Sequence, residues 1–125
     1  GMKSMAKPRD PFFDYVEEIL APMGPVTIKR MFGGAGVYAH GVMFALLADG
    51  EIYLKADLAL KAELEREGSG PFIFRKKDGS EAVMSYYRLP SDASDDPEAA
   101  SAWGRRALDA ALKARQPKSK RAPNA

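Results

Sequence analysis

Apolar residues recur every three or four positions in three segments of the chain, which predicts three helices. The first begins at Asp10-Pro11, where a capping residue precedes a proline suited to the first helical turn, and ends at Gly24-Pro25. The second covers residues 58–67. The third opens at Asp96-Pro97 with the same combination of cap and proline. Helices are therefore expected at both ends and in the middle of the folded chain.

Between these helices, the apolar residues alternate with polar ones or form short continuous runs, which predicts strands. The five predicted strands cover residues 27–39, 42–48, 51–55, 72–76 and 82–89. Asp49-Gly50 and Asp78-Gly79 are strong hairpin signals, and His40-Gly41 is a further candidate turn. The order α-β(3)-α-β(2)-α predicts a two-layer α+β domain with an antiparallel five-stranded sheet.

The third helix has one face of small and aromatic residues. On a helical wheel, this face contains Ala100, Trp103, Gly104, Ala107, Leu108 and Ala111. Charged residues such as Arg105, Arg106 and Asp109 gather on the opposite side. Since small residues permit close approach, we expect this face to pack on the sheet, with Trp103 supplying much of the buried area.

The length and composition of the chain suit one domain with its own core, and they exclude several classes of protein. The 125 residues include no cysteine, which excludes a disulfide framework, thiolate zinc sites and cysteine nucleophiles. No apolar run approaches the length of a membrane span, so a cytoplasmic location is predicted. Residues 1–9 are predicted to be a disordered start, in which Gly1 before Met2 is typical of a cleaved purification tag. Residues 10–115 form the predicted domain.

The positive charge of the chain is concentrated at its end. The formal net charge is +2, but residues 113–125 hold five basic residues and no acidic one. The preceding 112 residues therefore carry a net charge of −3. A domain that binds nucleic acid usually has a basic body, so this distribution weighs against that role. Residues 116–125 are predicted to be a disordered basic tail.

Motifs for catalysis or for cofactor binding are weak. The cluster Gly33-Gly34-Ala35-Gly36 lacks the lysine and hydroxyl residue that a phosphate loop requires, so it is interpreted as a bulge or a point of close approach. His40 is the single histidine and is predicted to be exposed in a turn. We therefore predict no catalytic residues, no cofactor and no metal site, and a protein that is not an enzyme.

Alternation along the strands separates two faces of the predicted sheet. The face predicted to form the core contains Met31, Val37, Ile52, Leu54, Phe72, Phe74, Val83, Tyr87 and Leu89. The opposite face combines four aromatic and four cationic residues: Arg30, Phe32, Tyr38, Tyr53, Lys55, Arg75, Tyr86 and Arg88. A buried face would rarely hold four cations. This candidate binding face suits an anionic or aromatic ligand, single-stranded nucleic acid or a partner segment. The alternative is a wet sheet face or dimer surface whose cations pair with local carboxylates.

Four short segments and a tryptophan carry a family resemblance. Residues 29–38, KRMFGGAGVY, resemble the RRMFGG-G-Y opening of the TfoX/Sxy N-terminal domain. They are followed in the right order by GVMFAL at 41–46, LKAD at 54–57 and MSYYRLP at 84–90. Trp103 then precedes an alanine-rich helix, as it does at the end of that family's domain. The resemblance covers roughly residues 10–115.

This resemblance implies a fold similar to that of secretion chaperones, which often form dimers. It also implies regulation of competence genes together with another transcription factor, although the full-length regulators carry a second domain and this chain is expected to be a single-domain member. The predicted function is a non-enzymatic, protein-binding regulatory domain whose partner is a transcription factor or polymerase component. The alternative is direct binding of nucleic acid through the cationic and aromatic face and the basic tail. A homodimer is a further possibility, and no membrane partner is expected.

Overall fold

The computed structural model describes residues 9–31 and 33–115. Nearly all of the two ends predicted to be disordered lies outside these residues, as does Phe32 of the predicted binding face. The helices are α1 (Pro11–Ile19), α2 (Leu58–Arg66) and α3 (Pro97–Arg115). The strands are β1 (Thr27–Met31), β2 (Gly34–Ala39), β3 (Val42–Ala48), β4 (Glu51–Lys55), β5 (Pro71–Arg75) and β6 (Glu81–Arg88). Short 3-10 turns cover Ala21–Met23 and Ser91–Ala93. No helix within the described ranges is long and apolar enough to span a bilayer.

The strands form one antiparallel sheet in the order β1-β2-β3-β4-β6-β5. The α+β architecture with three helices is confirmed, but the prediction of five strands is wrong because the sheet has six. The segment predicted as one strand over residues 27–39 folds as a hairpin, in which Met31 pairs with Gly34. Gly33 has a φ of +81°, a conformation that glycine adopts without steric cost and that reverses the chain here.

The hydrophobic core lies between one face of the sheet and the helices. Val37, Leu54 and Tyr87 from three different strands are buried on this face, as predicted. A bulge in β3, opposite Val37 and Tyr38, inserts one extra residue, so that Phe44 and Ala45 are both buried. The bulge thus turns two consecutive side chains of the central strand into the core.

Helix α3 packs across the sheet through its small residues, which confirms the predicted face at four of its six positions, whereas Trp103 and Leu108 are only partly buried. Its buried positions are Ala100, Ser101, Gly104, Ala107, Ala110 and Ala111. The Ser101 hydroxyl donates a hydrogen bond of 3.3 Å to the carbonyl oxygen of Ile19 in α1. Trp103 is only half-buried at the edge of the core, with the guanidinium of Arg106 5.6 Å from its ring centroid. Trp103 therefore contributes less to the buried surface of α3 than predicted, and the alanines contribute the rest.

Helix α2 is tied to α3 by a bidentate ion pair. Its N-terminus is capped by Asp57, whose carboxylate accepts a hydrogen bond from the Leu60 amide at 2.9 Å. Both guanidinium nitrogens of Arg106 then contact the Glu63 carboxylate, at 2.8 and 2.6 Å. These hydrogen bonds, aided by the charge of Arg106, lower the pKa of Glu63 below its ordinary value of 4.5. The pair therefore stabilises the fold only while the carboxylate is ionised.

Replacing Glu63 with glutamine is expected to lower the melting temperature at neutral pH. Because the folded-state pKa of Glu63 is depressed, its stabilising effect is fully present above about pH 4.5 and is lost as the pH falls through the lower folded value. The difference between wild type and Glu63→Gln should therefore disappear in acid. Thermal melts from pH 7 to pH 3 would measure it, with Glu65→Gln as the control that removes the same charge from the same helix. A difference that persists unchanged at pH 3 would contradict this account.

The hairpin of β5 and β6 extends beyond the core. Strand β4 pairs with β6 only through Tyr86, Tyr87 and Arg88, and the rest of the hairpin pairs with itself. We call residues 72–84 the arm. The prediction that Phe74 and Val83 belong to the core is wrong, because they are 44% and 66% exposed. Their apolar character suggested burial, but within the described residues only the start of α2 lies near this part of the hairpin, beside Val83.

Candidate functional site

An apolar groove of about 500 Å³ lies on the face of the sheet that the helices leave open. Its apolar side chains include Met31, Met43, Leu46, Phe72, Phe74 and Met84. β1 and β5 are at opposite edges of the sheet, yet residues of both line the groove, so the sheet is strongly curved. A concave, mainly apolar groove of this volume is typical of a binding site.

The floor of the groove depends on a glycine within β2. A Cβ added to Gly36 would lie 2.6 Å from the sulfur of Met43 and 3.1 Å from that of Met31. It would also lie 3.1 Å from the ring of Tyr38. The glycine therefore lets these side chains rest against the backbone. The cluster at residues 33–36 has the packing role that sequence analysis preferred to a phosphate loop.

The structure brings five of the predicted site residues together on the open face. They are Tyr38, Tyr53, Lys55, Tyr86 and Arg88. Tyr53 lies directly opposite Arg88, and Lys55 lies directly opposite Tyr86, on β4 and β6. The ring of Phe72 packs edge-on against Tyr53 with the centroids 5.2 Å apart. Tyr86 lines the apolar groove, and Tyr53 and Lys55 contact its lining residues Phe72 and Tyr86.

The other three predicted residues do not join this cluster. Arg30 lies opposite the buried Ala35 and stacks over the ring of Phe13 in α1 at 4.9 Å, on the helical side. The sequence pattern predicts one strand over residues 27–39, but the turn at Gly33 divides it in two, so Arg30 lies on the opposite face to the one predicted. Arg75 forms an ion pair of 2.7 Å with Glu81 within the arm. Phe32 lies outside the described residues.

Lys29 is a cation of the open face that sequence reasoning missed. It lies opposite Gly36, and its ammonium nitrogen is 4.9 Å from the ring centroid of Tyr38. The ammonium nitrogen of Lys55 is likewise 5.4 Å from the ring centroid of Tyr86. Burial raises the pKa of Tyr86, so its phenol is protonated at neutral pH and available as a hydrogen-bond donor. The face thus carries two cation–π pairs.

Two cations of this face, Lys55 and Arg88, have uncharged hydrogen-bond partners. Lys55 donates a hydrogen bond of 2.9 Å to the Ser85 hydroxyl, and Arg88 donates one of 3.2 Å to the Gly68 carbonyl oxygen. Within the described residues, no carboxylate lies within 4 Å of Lys29, Lys55 or Arg88. Their positive charge is therefore not neutralised locally. The alternative of local ion pairs holds only for Arg75.

The apolar lining was the second feature that sequence reasoning missed. The run of residues 42–48 contains no polar side chain, which is typical of a strand that is apolar on both faces. This signal predicts that Met43 and Leu46 line an apolar surface opposite the core. Phe72 and Phe74 were instead assigned to the core face, because the alternation of β5 could not be aligned with its neighbours.

Titratable residues form no evident metal site in the part of the chain that the structure describes. No group of three or more histidine, cysteine, aspartate or glutamate residues there is close enough to hold an ion. His40 is exposed in the turn between β2 and β3, where its φ is +52°. The groove therefore offers apolar contacts, phenols and cations to a ligand.

Comparison with known proteins gives a consistent result. The model of the TfoX N-terminal domain family matches residues 18–111. Protein Sxy of Escherichia coli K12 is 27% identical over 105 residues, which cover 84% of this chain and 50% of that protein. The DNA transformation protein TfoX1 of Aliivibrio fischeri is 30% identical over 76 residues, which cover 61% of this chain and 34% of that protein. The chain thus spans half or less of the length of these curated relatives.

Proposed function

This chain belongs to the TfoX N-terminal domain family, and we propose that it is a non-enzymatic regulatory domain that binds a protein partner through the open face of its sheet. The observation that carries this proposal is the apolar groove on the open face. The same face carries Lys29, Lys55 and Arg88, which have no carboxylate within 4 Å among the described residues. An exposed apolar surface with a polar rim is typical of a protein-interaction site.

The composition of the groove favours a peptide segment of a protein as the ligand. Met31, Met43 and Met84 supply flexible, polarizable side chains that adapt to a bound surface. Lys55 lies over the ring of Tyr86 and Arg88 lies opposite Tyr53, and both would attract acidic groups that flank an apolar segment. Such a segment would bury its apolar side chains in the groove and place its carboxylates at the rim.

The relatives support a role in regulation. One of them is named a DNA transformation protein, and the family resemblance implies control of competence genes through a partner. We propose that this domain contributes to transcriptional regulation of that type by binding a transcription factor or a polymerase component. Because it spans half or less of those relatives, the activity of the whole relatives enters here as part of the proposal.

Direct binding of nucleic acid is the second candidate, favoured by the tyrosines and cations that share the open face. Single strands bind by stacking bases on aromatic rings within a basic groove. Here, however, lysine ammonium groups already lie over the rings of Tyr38 and Tyr86. The groove on this face is apolar, and residues 1–112 carry a net charge of −3. These observations favour the protein partner.

Affinity capture from a lysate of the native host tests the protein-binding proposal. We expect the wild type to capture a transcription factor or polymerase subunit, and we expect Tyr86→Ala to weaken binding of the purified partner about tenfold or more. Lys55→Ala should also weaken it, whereas Lys113→Ala, which removes an exposed cation of α3, should not. Tyr86→Phe keeps the ring and should bind nearly normally. Thermal melts would show whether each variant is folded.

Fluorescence anisotropy with labelled single-stranded and double-stranded DNA separates the two candidates. The proposal predicts that binding at physiological salt is weak and insensitive to Tyr86→Ala. Micromolar binding that falls steeply with added salt and is lost in Lys55→Ala would favour the nucleic-acid function instead. Binding that is lost only when residues 113–125 are deleted would indicate nonspecific attraction to the five basic residues at the end of the chain.

A further inference from the structure

Exposed apolar side chains are concentrated on the arm. Of six large apolar side chains that are exposed in the described residues, four belong to it: Ile73, Phe74, Val83 and Met84. Ile73 lies opposite Val83, and the alternation along β5 places Phe74 on the other face of the hairpin. A two-stranded hairpin that is apolar on both faces would be only marginally stable in water. It is therefore a candidate interaction surface.

No strand of the described residues pairs with the outer edge of β5. The Lys76 amide donates to the Ser80 carbonyl oxygen at 2.8 Å, and the Gly70 carbonyl oxygen accepts from the Arg88 amide at 3.0 Å. Even-numbered residues of this strand therefore direct their polar backbone groups toward β6. By alternation, Ile73 and Arg75 direct theirs away from the sheet. An exposed edge of this kind is a template for another strand.

The opposite edge of the sheet is protected by charge. Strand β1 has Lys29 at its centre and Arg30 beside it, both exposed. If two copies of β1 paired antiparallel about Lys29, the Lys29 ammonium group of one copy would lie directly opposite that of the other, which is unfavourable. Strand β5 has no charge at its centre, because Ile73 occupies that position. The two edges therefore differ in their capacity for self-association.

We propose that two copies of this chain pair antiparallel through β5, with the twofold axis at Ile73. In this arrangement, Phe72 of one copy lies opposite Phe74 of the second, and both are on the groove face. Arg75 lies opposite Pro71 in two symmetric pairs. In each pair the absent proline N–H costs one ladder hydrogen bond, while the Arg75 amide still donates to the Pro71 carbonyl oxygen. The interface is self-complementary, as a twofold axis requires.

This arrangement places both grooves on the same side of a continuous twelve-stranded sheet, since residues opposite each other across a ladder share a face. The facing phenylalanines would join the two grooves along the dimer axis. Strand β5 has only five residues, so we expect an interface at the small end of the known range, where association is weak and in the micromolar range. Dimer formation does not depend on the function proposed above.

A single introduced cysteine tests the pairing directly, because the chain has none of its own. Residues opposite each other in a hydrogen-bonded antiparallel pair have their Cα atoms about 5.5 Å apart, which is within the range that a disulfide bridges. Ile73→Cys should therefore form a disulfide-linked dimer under mild oxidation at least about tenfold faster than Lys29→Cys. Lys29→Cys is the matched control at the centre of the other edge. Equal rates for the two variants would overturn the proposal.

Sedimentation over a range of protein concentrations provides a second measurement, without a cross-link. The wild type should shift from monomer to dimer, and Ile73→Lys should raise the dissociation constant at least about tenfold. Ile73→Pro removes a backbone amide that points away from the sheet and forms no hydrogen bond within the described monomer. It should therefore also raise the dissociation constant of the dimer, while the circular dichroism spectrum of the monomer remains unchanged. Leu112→Lys, a substitution at an exposed leucine of α3, should dimerise normally. A wild type that stays monomeric throughout, or dimers unaffected by either Ile73 variant, would refute pairing through β5.

Discussion

Replacing Gly34 with alanine is expected to lower the free energy of unfolding by about 3 kcal/mol or more. A Cβ at this position would overlap the carbonyl oxygen of Leu47 in the neighbouring strand. That oxygen is part of the backbone of β3 and cannot rotate away as a side chain would. Strands β2 and β3 would have to separate where they pair at Ala35 and Leu47. The melting temperature should fall by roughly 10–20 °C.

Thermal and chemical denaturation of matched glycine variants would measure this effect. Gly70→Ala is the control, because no atom lies within 4 Å of its Cβ position and its φ is not in the left-handed region. We expect it to be neutral or slightly stabilising. Gly36→Ala should fall between the two, since its Cβ would meet side chains that can move, such as those of Met31 and Met43. A Gly34→Ala protein as stable as Gly70→Ala would contradict the close approach of β2 to β3.

The parts of the fold that local chemistry determines were predictable from the sequence. Asp10 and Asp57 cap helices as expected, each accepting a hydrogen bond from an amide of the first turn. Asp49 and Gly50 both have positive φ, at +52° and +73°, which is the conformation that an Asp-Gly hairpin favours. At each of these positions the residue itself supplies the conformation or the hydrogen bond, so no tertiary information was needed.

The sixth strand could not be predicted in the same way. The turn between β1 and β2 lies within an uninterrupted run of apolar and glycine residues, and it lacks an Asp-Gly or Asn-Gly pair. Because this turn was not predicted, the alternation of one strand was extended across Gly33. That extension placed Arg30 on the wrong face of the sheet and Met31 in the core. The bulge at Phe44 is likewise set by the pairing of β3 with β2, which no local pattern specifies.

The candidate site shows the same division. Lys55, Tyr86 and Arg88 lie on short strands whose alternation was unambiguous, and they were placed correctly beside one another. The apolar groove depends on the curvature that brings β1 and β5 to one cavity, which is a property of the whole sheet. Period-two patterning identifies which residues share a face, but it does not predict whether that face is flat or concave.

Replacing Phe44 with alanine is expected to be among the most destabilising changes in the core, whereas Phe74→Ala should have a small effect. Phe44 is fully buried at the bulge of β3, and removing a buried phenyl ring costs about 3–5 kcal/mol through lost transfer energy and the cavity left behind. Phe74 is 44% exposed on the arm, so its loss should cost about 1 kcal/mol or less. The two variants make the same chemical change in two strands of one sheet.

Urea denaturation of both variants at low protein concentration would give the two free energies of unfolding. The slope of the transition should stay unchanged if both remain two-state. This pair tests the assignment of the arm directly, because apolar patterning alone placed Phe74 in the core. If Phe74→Ala proved as costly as Phe44→Ala, Phe74 would be packed against a surface of the monomer, in contradiction to its exposure on the arm. A large loss for Phe44 with a small loss for Phe74 would instead show that the arm lies outside the core and is available to a partner.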